Sequence, residues 1–431
     1  MFEKYAVHNQ FRTNLDLFSE QDPHLNALSK LKYQHSPKWW LDLSMDEAGI
    51  YILTGGRQVG KSTSCKLLMQ HSLEEKKIQP ENTFYLPCDE IFEAQQLSQT
   101  LRYFINQTTG FFLLVIDEVT FVKQWDRVIK SLADEGRFTQ GICLLTGSDT
   151  LILKEAAMSF PGRRGNANTT DFHIYPLTFS DYVDLVDPGY EKEAIPKLYD
   201  NYLQHGGYLR AINDYYGAGN VSEASFQTYE QWIRGDFLKQ GKSEEYLLQV
   251  LRALFVTGVS QVSYSGLTQK IGLISKETCI DYCRLLQRMD ILIELQAFDQ
   301  NKKSGFPRKA RKLHFFDPFI QRTIYQWLTR EGIVGEKELE SELVEASVAS
   351  HCHRFAKTYY FKGQGEVDVI FLSEGKVNAV EVKWSEKIRP ADLKMLKQFE
   401  TSWVVSKVLE PGHIDGVNSQ HVGGFLLGLG N

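Results

Sequence analysis

Near its C-terminal end the chain alternates apolar and polar residues at a period of two. In residues 365–384, GEVDVIFLSEGKVNAVEVKW, Val367, Val369 and Phe371 alternate with Glu366, Asp368 and Ile370. Val380, Val382 and Trp384 then alternate with Glu381 and Lys383. That period predicts two strands, each with one apolar face. A two-residue turn at Glu374-Gly375, with Gly supplying positive φ, joins them most simply. It pairs Ser373 with Lys376 and, counting back, Asp368 with Glu381 and Glu366 with Lys383. Facing residues have Cβ atoms about 5 Å apart, so two opposed carboxylates repel. A divalent cation between Asp368 and Glu381 would relieve that repulsion. A solvated, charged face of an edge hairpin accounts for the same pattern.

Other stretches carry unbroken apolar runs of strand length: residues 49–53, the run FFLLVI at 111–116, and GICLLTGS. A helical period appears in EYLLQVLRALFVTG, YSGLTQKIGL, SKETCIDYCRLLQRM and ELESELVEASVASHCHRFA. ILIELQAF and RKLHFFD read as strands, and TSWVVSKV as a further strand after a helix over 391–400.

The first apolar strand runs into Gly55-Gly56-Arg57-Gln58-Val59-Gly60-Lys61-Ser62-Thr63, and CKLLMQ continues as a helix. This GxxxxGK(S/T) loop between strand and helix predicts a phosphate cradle for ATP. Its backbone N–H groups curl around phosphate oxygens, Lys61 reaches the β and γ phosphates, and the Ser62 hydroxyl binds Mg²⁺. The second strand ends in Asp117-Glu118. Asp117 is expected to hold the Mg²⁺ and Glu118 to polarise the attacking water. The third ends in Thr146-Gly147-Ser148, where a polar residue, Ser148 the candidate, could sense the γ-phosphate or orient water, or merely cap the next helix. Arg163 and Arg164, in PGRRG, fit either phosphate ligands, with a finger in trans requiring a homo-oligomer, or a surface turn.

The chain has 431 residues, enough for about three domains, and ordinary globular composition. A net charge of −6 excludes a polycationic nucleic-acid coat, so any DNA contact must be local. Six scattered cysteines suit reduced thiols, hence a cytoplasmic setting. Cys279 and Cys283 fit a helix core, and His351-Cys352-His353 does not converge as a metal site. The N-terminal stretch has no apolar signal region, and no run approaches the ~18 residues that span a bilayer.

Residues 243–328 read as three short helices and a hairpin, the pattern of a winged helix-turn-helix. The hairpin loop NKKSGFPRKARK carries Lys302, Lys303, Arg308, Lys309, Arg311 and Lys312 with no acid among them. Such a wing suits phosphate contacts with DNA. A solvated loop in a domain that binds a protein partner is the alternative.

Taken in order, TGGRQVGKST, TFYLPCDEI, LLVIDEVTFVKQWDRVIKSLAD, LLTGSDTLIL, PGRRG, IYPLTFSDYV, YLQHGGYLRAI, WIRGDFLKQG, KLHFFDPFI and EVDVIF–VEVKW resemble the prokaryotic AAA-type ATPases that carry a C-terminal domain of unknown function. Gly56 stands where that family usually has Pro. The resemblance implies an AAA-like P-loop fold with a helical lid. The last hundred or so residues, with an acidic helix, a strand with Asp and a strand with Glu-x-Lys, resemble the PD-(D/E)XK nuclease-like fold. That resemblance implies Glu345, Asp368 and Glu381 as Mg²⁺ ligands, and Lys383 as the group that orients water and stabilises transition-state charge. The expected α/β architecture is an N-terminal helical extension (1–40), an ATPase core (41–185), a lid (186–242), a winged helix (243–328) and a nuclease-like domain (329–431). The expected function is ATP-gated, Mg²⁺-dependent DNA cleavage. The alternative is an ATP-driven switch on an inactive nuclease fold that binds DNA or a protein.

Overall fold

The computed structural model describes residues 2–75, 77–147, 153, 160, 162–272, 274–385, 388–408 and 410–429. Ser148 lies outside them. The chain forms two compact units, Met1–Tyr175 and Pro176–Asn431.

The first unit is built on strands β1 (Gly49–Gly55), β2 (Thr83–Pro87), β3 (Phe112–Asp117), β4 (Gly141–Thr146) and β5 (Asp171–Ile174). They form one parallel sheet in the order β2-β3-β4-β1-β5. Unbroken apolar strands are what a parallel sheet covered on both faces requires, and β1, β3 and β4 are buried along their whole length. Phe84, Leu114, Ile116, Leu145 and Trp125 pack on one face, and Tyr51, Leu53, Leu68, Leu113 and Leu144 on the other. The helix Lys61–Glu74 follows β1 directly.

The N-terminal segment consists of short helical turns pinned to this sheet. Lys66, fully buried on the Lys61–Glu74 helix, pairs with Asp22 at 2.9 Å and donates to the His8 carbonyl at 2.6 Å. Its ammonium also lies 3.6 Å from the Tyr85 ring centroid, so a buried charge is compensated from three sides.

The second unit opens with helices Phe179–Val186, Ile195–His205, Leu209–Ala218 and Glu223–Lys239. The segment expected as a lid therefore groups with the C-terminal part of the chain. Helices Glu244–Thr257, Tyr264–Ile271 and Lys276–Arg288 follow, each opened by a serine that caps it through its hydroxyl. Strands β6 (Leu292–Asp299) and β7 (Ser304–Phe315) then form the long hairpin.

The expected separation of this hairpin from the C-terminal sheet is not observed. β8 (Lys357–Lys362), β9 (Glu366–Ser373), β10 (Lys376–Lys383), β11 (Thr401–Ser406), β12 (Gly412–Ile414) and β13 (Val417–His421) join it in one eight-stranded sheet, ordered β12-β13-β11-β10-β9-β8-β6-β7. The join is a short parallel pairing of Gln296 and Ala297 with Tyr359 and Tyr360. The helix Glu340–Phe355 packs along this sheet. The expected helix over 391–400 is only two short turns, Pro390–Leu393 and Leu396–Gln398.

The β9–β10 hairpin has the register its turn dictates. Ser373 pairs with Lys376, and the ladder runs back to Val369 opposite Val380. Glu374 and Gly375 both take left-handed φ, 53° and 76°, as a tight hairpin of this twist demands.

Candidate nucleotide site and C-terminal carboxylate cluster

Parallel strands point their carboxyl ends to one side of a sheet, and ligands bind there. In the first unit that end gathers the loop after β1, Asp117 at the end of β3 with Glu118 following it, and Thr146 at the end of β4. Because β4 lies between β1 and β3, Thr146 stands between the two motifs. Gln58 and Gly60 take positive φ, 62° and 92°, which curls the loop, and Gly60 caps the Lys61–Glu74 helix.

Lys61 is buried and its Nζ donates to the carbonyls of Gly55 (3.0 Å) and Gly56 (2.9 Å), 3.8 Å from Glu118 Oε1. The Ser62 hydroxyl donates to Asp117 Oδ2 at 2.6 Å. Tyr85 donates its hydroxyl to the same oxygen, and Thr146 donates to Asp117 Oδ1. Thr146 also accepts from the Glu118 backbone N–H at 3.0 Å. Burial and then the Asp117 charge push the Tyr85 phenol well above its usual range, so it remains a donor. Glu118 itself sits in left-handed backbone, φ 52°, a strained conformation for a non-glycine residue that clusters at functional sites. Ser62 and Asp117 present two adjacent oxygens of the kind Mg²⁺ prefers, so the residues fit that ion.

Tyr85 was not expected here, and Thr146 was passed over for Ser148. The signal for Thr146 was its place as the last buried residue of an apolar strand. For Tyr85 no local signal existed, because its partner is 32 residues away. Arg163 pairs with Asp134. Arg164 is a bidentate partner of Asp171, at 2.8 and 3.0 Å, and donates to the Thr170 carbonyl at 2.8 Å. Its fork is thus spent on holding β5 rather than reaching for a phosphate.

In the second unit Glu345, Asp368 and Glu381 do come together, and all three are buried, which removes the solvated-face reading of the hairpin. They come together around an unexpected partner. Lys312 Nζ lies 2.9 Å from Glu345 Oε1, 2.8 Å from Glu366 Oε1 and 3.0 Å from Asp368 Oδ1. Asp368 Oδ2 accepts from the Val382 N–H at 3.0 Å. Lys383 pairs with Glu381 Oε1 at 2.6 Å. Glu381 Oε2 is buried with no hydrogen-bond partner. Desolvation, then the Asp368 charge, raises Glu345 to about 8 and Glu381 to about 7. Burial alone would lower the Lys312 pKa, but Asp368, Glu345 and Glu366 hold it far above its usual value. His314, 3.8 Å from Glu345, is kept neutral by burial and by Lys312, which lower it to about 3.

Among the described residues no three His, Cys, Asp or Glu side chains converge as a metal-binding group. The expected Mg²⁺ set does not fit that ion here, because a protein ammonium already takes an oxygen of two of its three members. Lys312 is accordingly not a wing residue: it is 2% exposed. The sequence signal was alternation in RKLHFF, where Lys312 and His314 face one side and Leu313 and Phe315 the other, and all four are buried.

The remaining wing residues divide. Lys302 and Lys303 are exposed at the hairpin tip, and Arg308 and Lys309 are exposed in a four-residue bulge. That bulge, Pro307 to Ala310, has no partner on β6 between the Ala297–Phe306 and Gln296–Arg311 pairs. Arg311 instead lies against its own domain, 2.9 Å from Glu294 and 4.3 Å from the Tyr264 ring centroid. Cys279, Cys283 and Cys352 are buried thiols, and His351 Nε2 accepts from the Phe179 N–H at 2.9 Å. No described helix is long and apolar enough to cross a membrane.

Residues 47–183 match the family model of an AAA domain, residues 196–331 a domain of unknown function (DUF8612), and residues 340–416 another (DUF4143). The first unit therefore holds an AAA-type P-loop ATPase core. An uncharacterized protein of Haemophilus influenzae is 26% identical over 170 residues, 38% of this chain and 40% of that protein. The chain thus matches less than half the length of that relative. An uncharacterized protein of Methanocaldococcus jannaschii is 23% identical over 397 residues, 83% of this chain and 80% of its own length. Among solved structures, a Walker-type ATPase of Pyrococcus abyssi aligns at 13% identity and TM-score 0.46, covering 66% of this chain and 93% of that one. The ORC1 protein of Aeropyrum pernix, solved in complex with DNA, aligns at 10% identity and TM-score 0.34, covering 76% of this chain and 94% of that one.

Proposed function

We propose that the chain is a nucleotide-driven switch that binds and hydrolyses ATP in its first unit and engages DNA through the basic hairpin of its second. One observation carries the ATPase reading: Ser62 Oγ and Asp117 Oδ2 are 2.6 Å apart, with Lys61 and Glu118 beside them. Lys61 would leave the Gly55 and Gly56 carbonyls for the β and γ phosphates, which the backbone N–H groups of residues 56–63 surround. Mg²⁺ entering with ATP would neutralise phosphate charge, held by Ser62 and Asp117. Glu118 takes the proton of the attacking water, and Thr146 fixes Asp117 and Glu118 in place.

The three helices and hairpin of residues 243–328 read as a winged helix. Its exposed cations, Lys302, Lys303, Arg308 and Lys309, suit phosphate contacts of low sequence specificity. The helix Glu340–Phe355 with β8–β11 reads as a PD-(D/E)XK-like scaffold. Nucleotide-gated DNA cleavage by that scaffold is the weaker reading, because Lys312 and Lys383 already occupy oxygens of its carboxylates. A homo-oligomer and a protein partner both remain compatible with the switch.

The test is a parallel measurement of ATP hydrolysis, DNA affinity and DNA cleavage for wild type, Lys61→Ala and Glu118→Gln. Wild type should hydrolyse ATP, and its DNA affinity should differ between ATP and ADP. Glu118→Gln should bind ATP but turn over at least about 100-fold more slowly. A wild type that neither binds nor hydrolyses ATP would sink the proposal. DNA affinity indifferent to nucleotide would remove its switching half.

A further inference from the structure

The C-terminal unit gathers its carboxylates from different elements: Glu345 from the helix, Glu366 and Asp368 from β9, and Glu381 from β10. Buried carboxylates at this density need a cation. The cation comes from yet another element, Lys312 on β7. An ammonium has three N–H donors and no more. Three carboxylate oxygens, one each from Glu345, Glu366 and Asp368, lie between 2.8 and 3.0 Å from Lys312 Nζ. These are charge-assisted hydrogen-bond distances, which suit an ammonium, whereas Mg²⁺ requires its oxygens at about 2.1 Å.

We propose that Lys312 is the resident cation of this cluster, a tethered ammonium that closes a latent divalent-metal site from within the chain. A metal ion sharing Glu345 and Asp368 would lie against a fixed positive charge and would have to displace it. Glu381 Oε2 is buried without a hydrogen-bond partner. With Lys312 gone it would stand as a ligand beside the Glu345 and Asp368 oxygens that the ammonium now holds. Because Lys312 belongs to the hairpin that carries Lys302, Lys303, Arg308 and Lys309, the same ion cluster clasps that hairpin to the helix Glu340–Phe355 and to β9. The proposal does not depend on ATP hydrolysis and stands or falls separately from it.

The experiment is Mn²⁺ binding to the full chain without nucleotide, read by calorimetry and by the thermal midpoint, in wild type, Asp368→Asn, Lys312→Met and Lys312→Met/Asp368→Asn. Wild type should show no Mn²⁺ binding that Asp368→Asn removes. Lys312→Met should gain a Mn²⁺ site, with a midpoint rising on the order of 5 °C at saturating metal, and the double variant should lose it. A Lys312→Met chain that folds only with Mn²⁺ present supports the proposal as well. If it fails to fold in either condition, Lys312→Met/Glu366→Gln, which removes one charge of each sign and keeps Glu345, Asp368 and Glu381, takes its place. Wild-type binding of Mn²⁺ that Asp368→Asn abolishes would overturn the proposal. So would a folded lysine-free variant that gains no site.

Discussion

Thr146 donates its hydroxyl to Asp117 Oδ1 and accepts from the backbone N–H of Glu118, so one side chain orients both acidic residues of the ATPase core. Valine has nearly the same shape and neither hydrogen bond. Thr146→Val should lower turnover roughly 10- to 100-fold, the usual effect of losing a partner that orients a metal or base ligand. Nucleotide affinity should change little, since Lys61 and the loop N–H groups are untouched. Steady-state ATPase rates beside a nucleotide-binding titration check this, and an unchanged rate would refute it.

Arg164 makes a test of the opposite kind. An arginine finger is worth about 10³–10⁵ in turnover. Arg164 is instead paired with Asp171 and the Thr170 carbonyl, at the β1–β5 side of the sheet. Arg164→Ala should therefore cost stability, about 1–3 kcal/mol for a partly buried charge-assisted pair, and leave turnover within a few-fold. Denaturant unfolding and an ATPase assay at several protein concentrations separate the two roles.

For DNA, the cations of the β6–β7 hairpin should behave unequally. Removing Lys302, Lys303, Arg308 and Lys309 together should weaken binding and flatten its salt dependence, each lost phosphate contact reducing the slope by about 0.9. Arg311→Ala should leave that slope alone and destabilise the domain, because its guanidinium is engaged by Glu294 and Tyr264. A slope unchanged in the fourfold variant would mean the hairpin is not a DNA surface.

Asp317 provides a pH signature. It caps the helix Pro318–Arg330 and accepts from the Gly207 N–H at 2.8 Å and the Phe319 N–H at 2.8 Å. Complete burial nevertheless raises it to about 6, against the lowering effect of those hydrogen bonds and of Arg354. A carboxyl with a raised folded-state pKa binds its proton more tightly in the folded than in the unfolded chain. Its contribution is fully present below about pH 4 and falls as pH rises to 6. Relative to Asp317→Asn, wild type should lose on the order of 3 kcal/mol across that window and nothing further above it. Urea unfolding at a series of pH values reads this directly, and a difference that stays flat would show that Asp317 titrates normally.

The tight turn of the β9–β10 hairpin offers a local check. Glu374 holds φ 53° at a position where asparagine or glycine is more at ease. Glu374→Asn should stabilise by roughly 0.5–1 kcal/mol, and Gly375→Val should destabilise by about 1–2 kcal/mol. Thermal melts of the two variants should shift in opposite directions.

What the sequence revealed, and what it hid, follow the range of the forces involved. The loop at 55–62 was legible because strand, glycines, Lys61 and helix are contiguous. The hairpin register was legible because a two-residue turn leaves no freedom to slip, and it brought Asp368 toward Glu381 without any knowledge of the rest of the fold. The pairing of Gln296 and Ala297 with Tyr359 and Tyr360 was not legible, since two hydrogen-bonded residues leave no period to read. Lys312 was hidden instead by the composition around it. Six cations in a row of twelve residues read as one basic loop, and only the acids that the fold brings to Arg311 and Lys312 separate them from the four that meet solvent.

The short β6–β8 pairing also decides how the chain can be divided. A cut near residue 330, where composition invites one, would strip β6 of a partner strand and remove all three carboxylates that hold Lys312. The N-terminal fragment would expose an unpaired backbone ladder beside a stranded ammonium, and the C-terminal fragment a matching ladder on β8 beside uncompensated acids. Unpaired ladders recruit other chains. Neither fragment should survive alone as a well-behaved monomer, and the two mixed should recover solubility by pairing with each other.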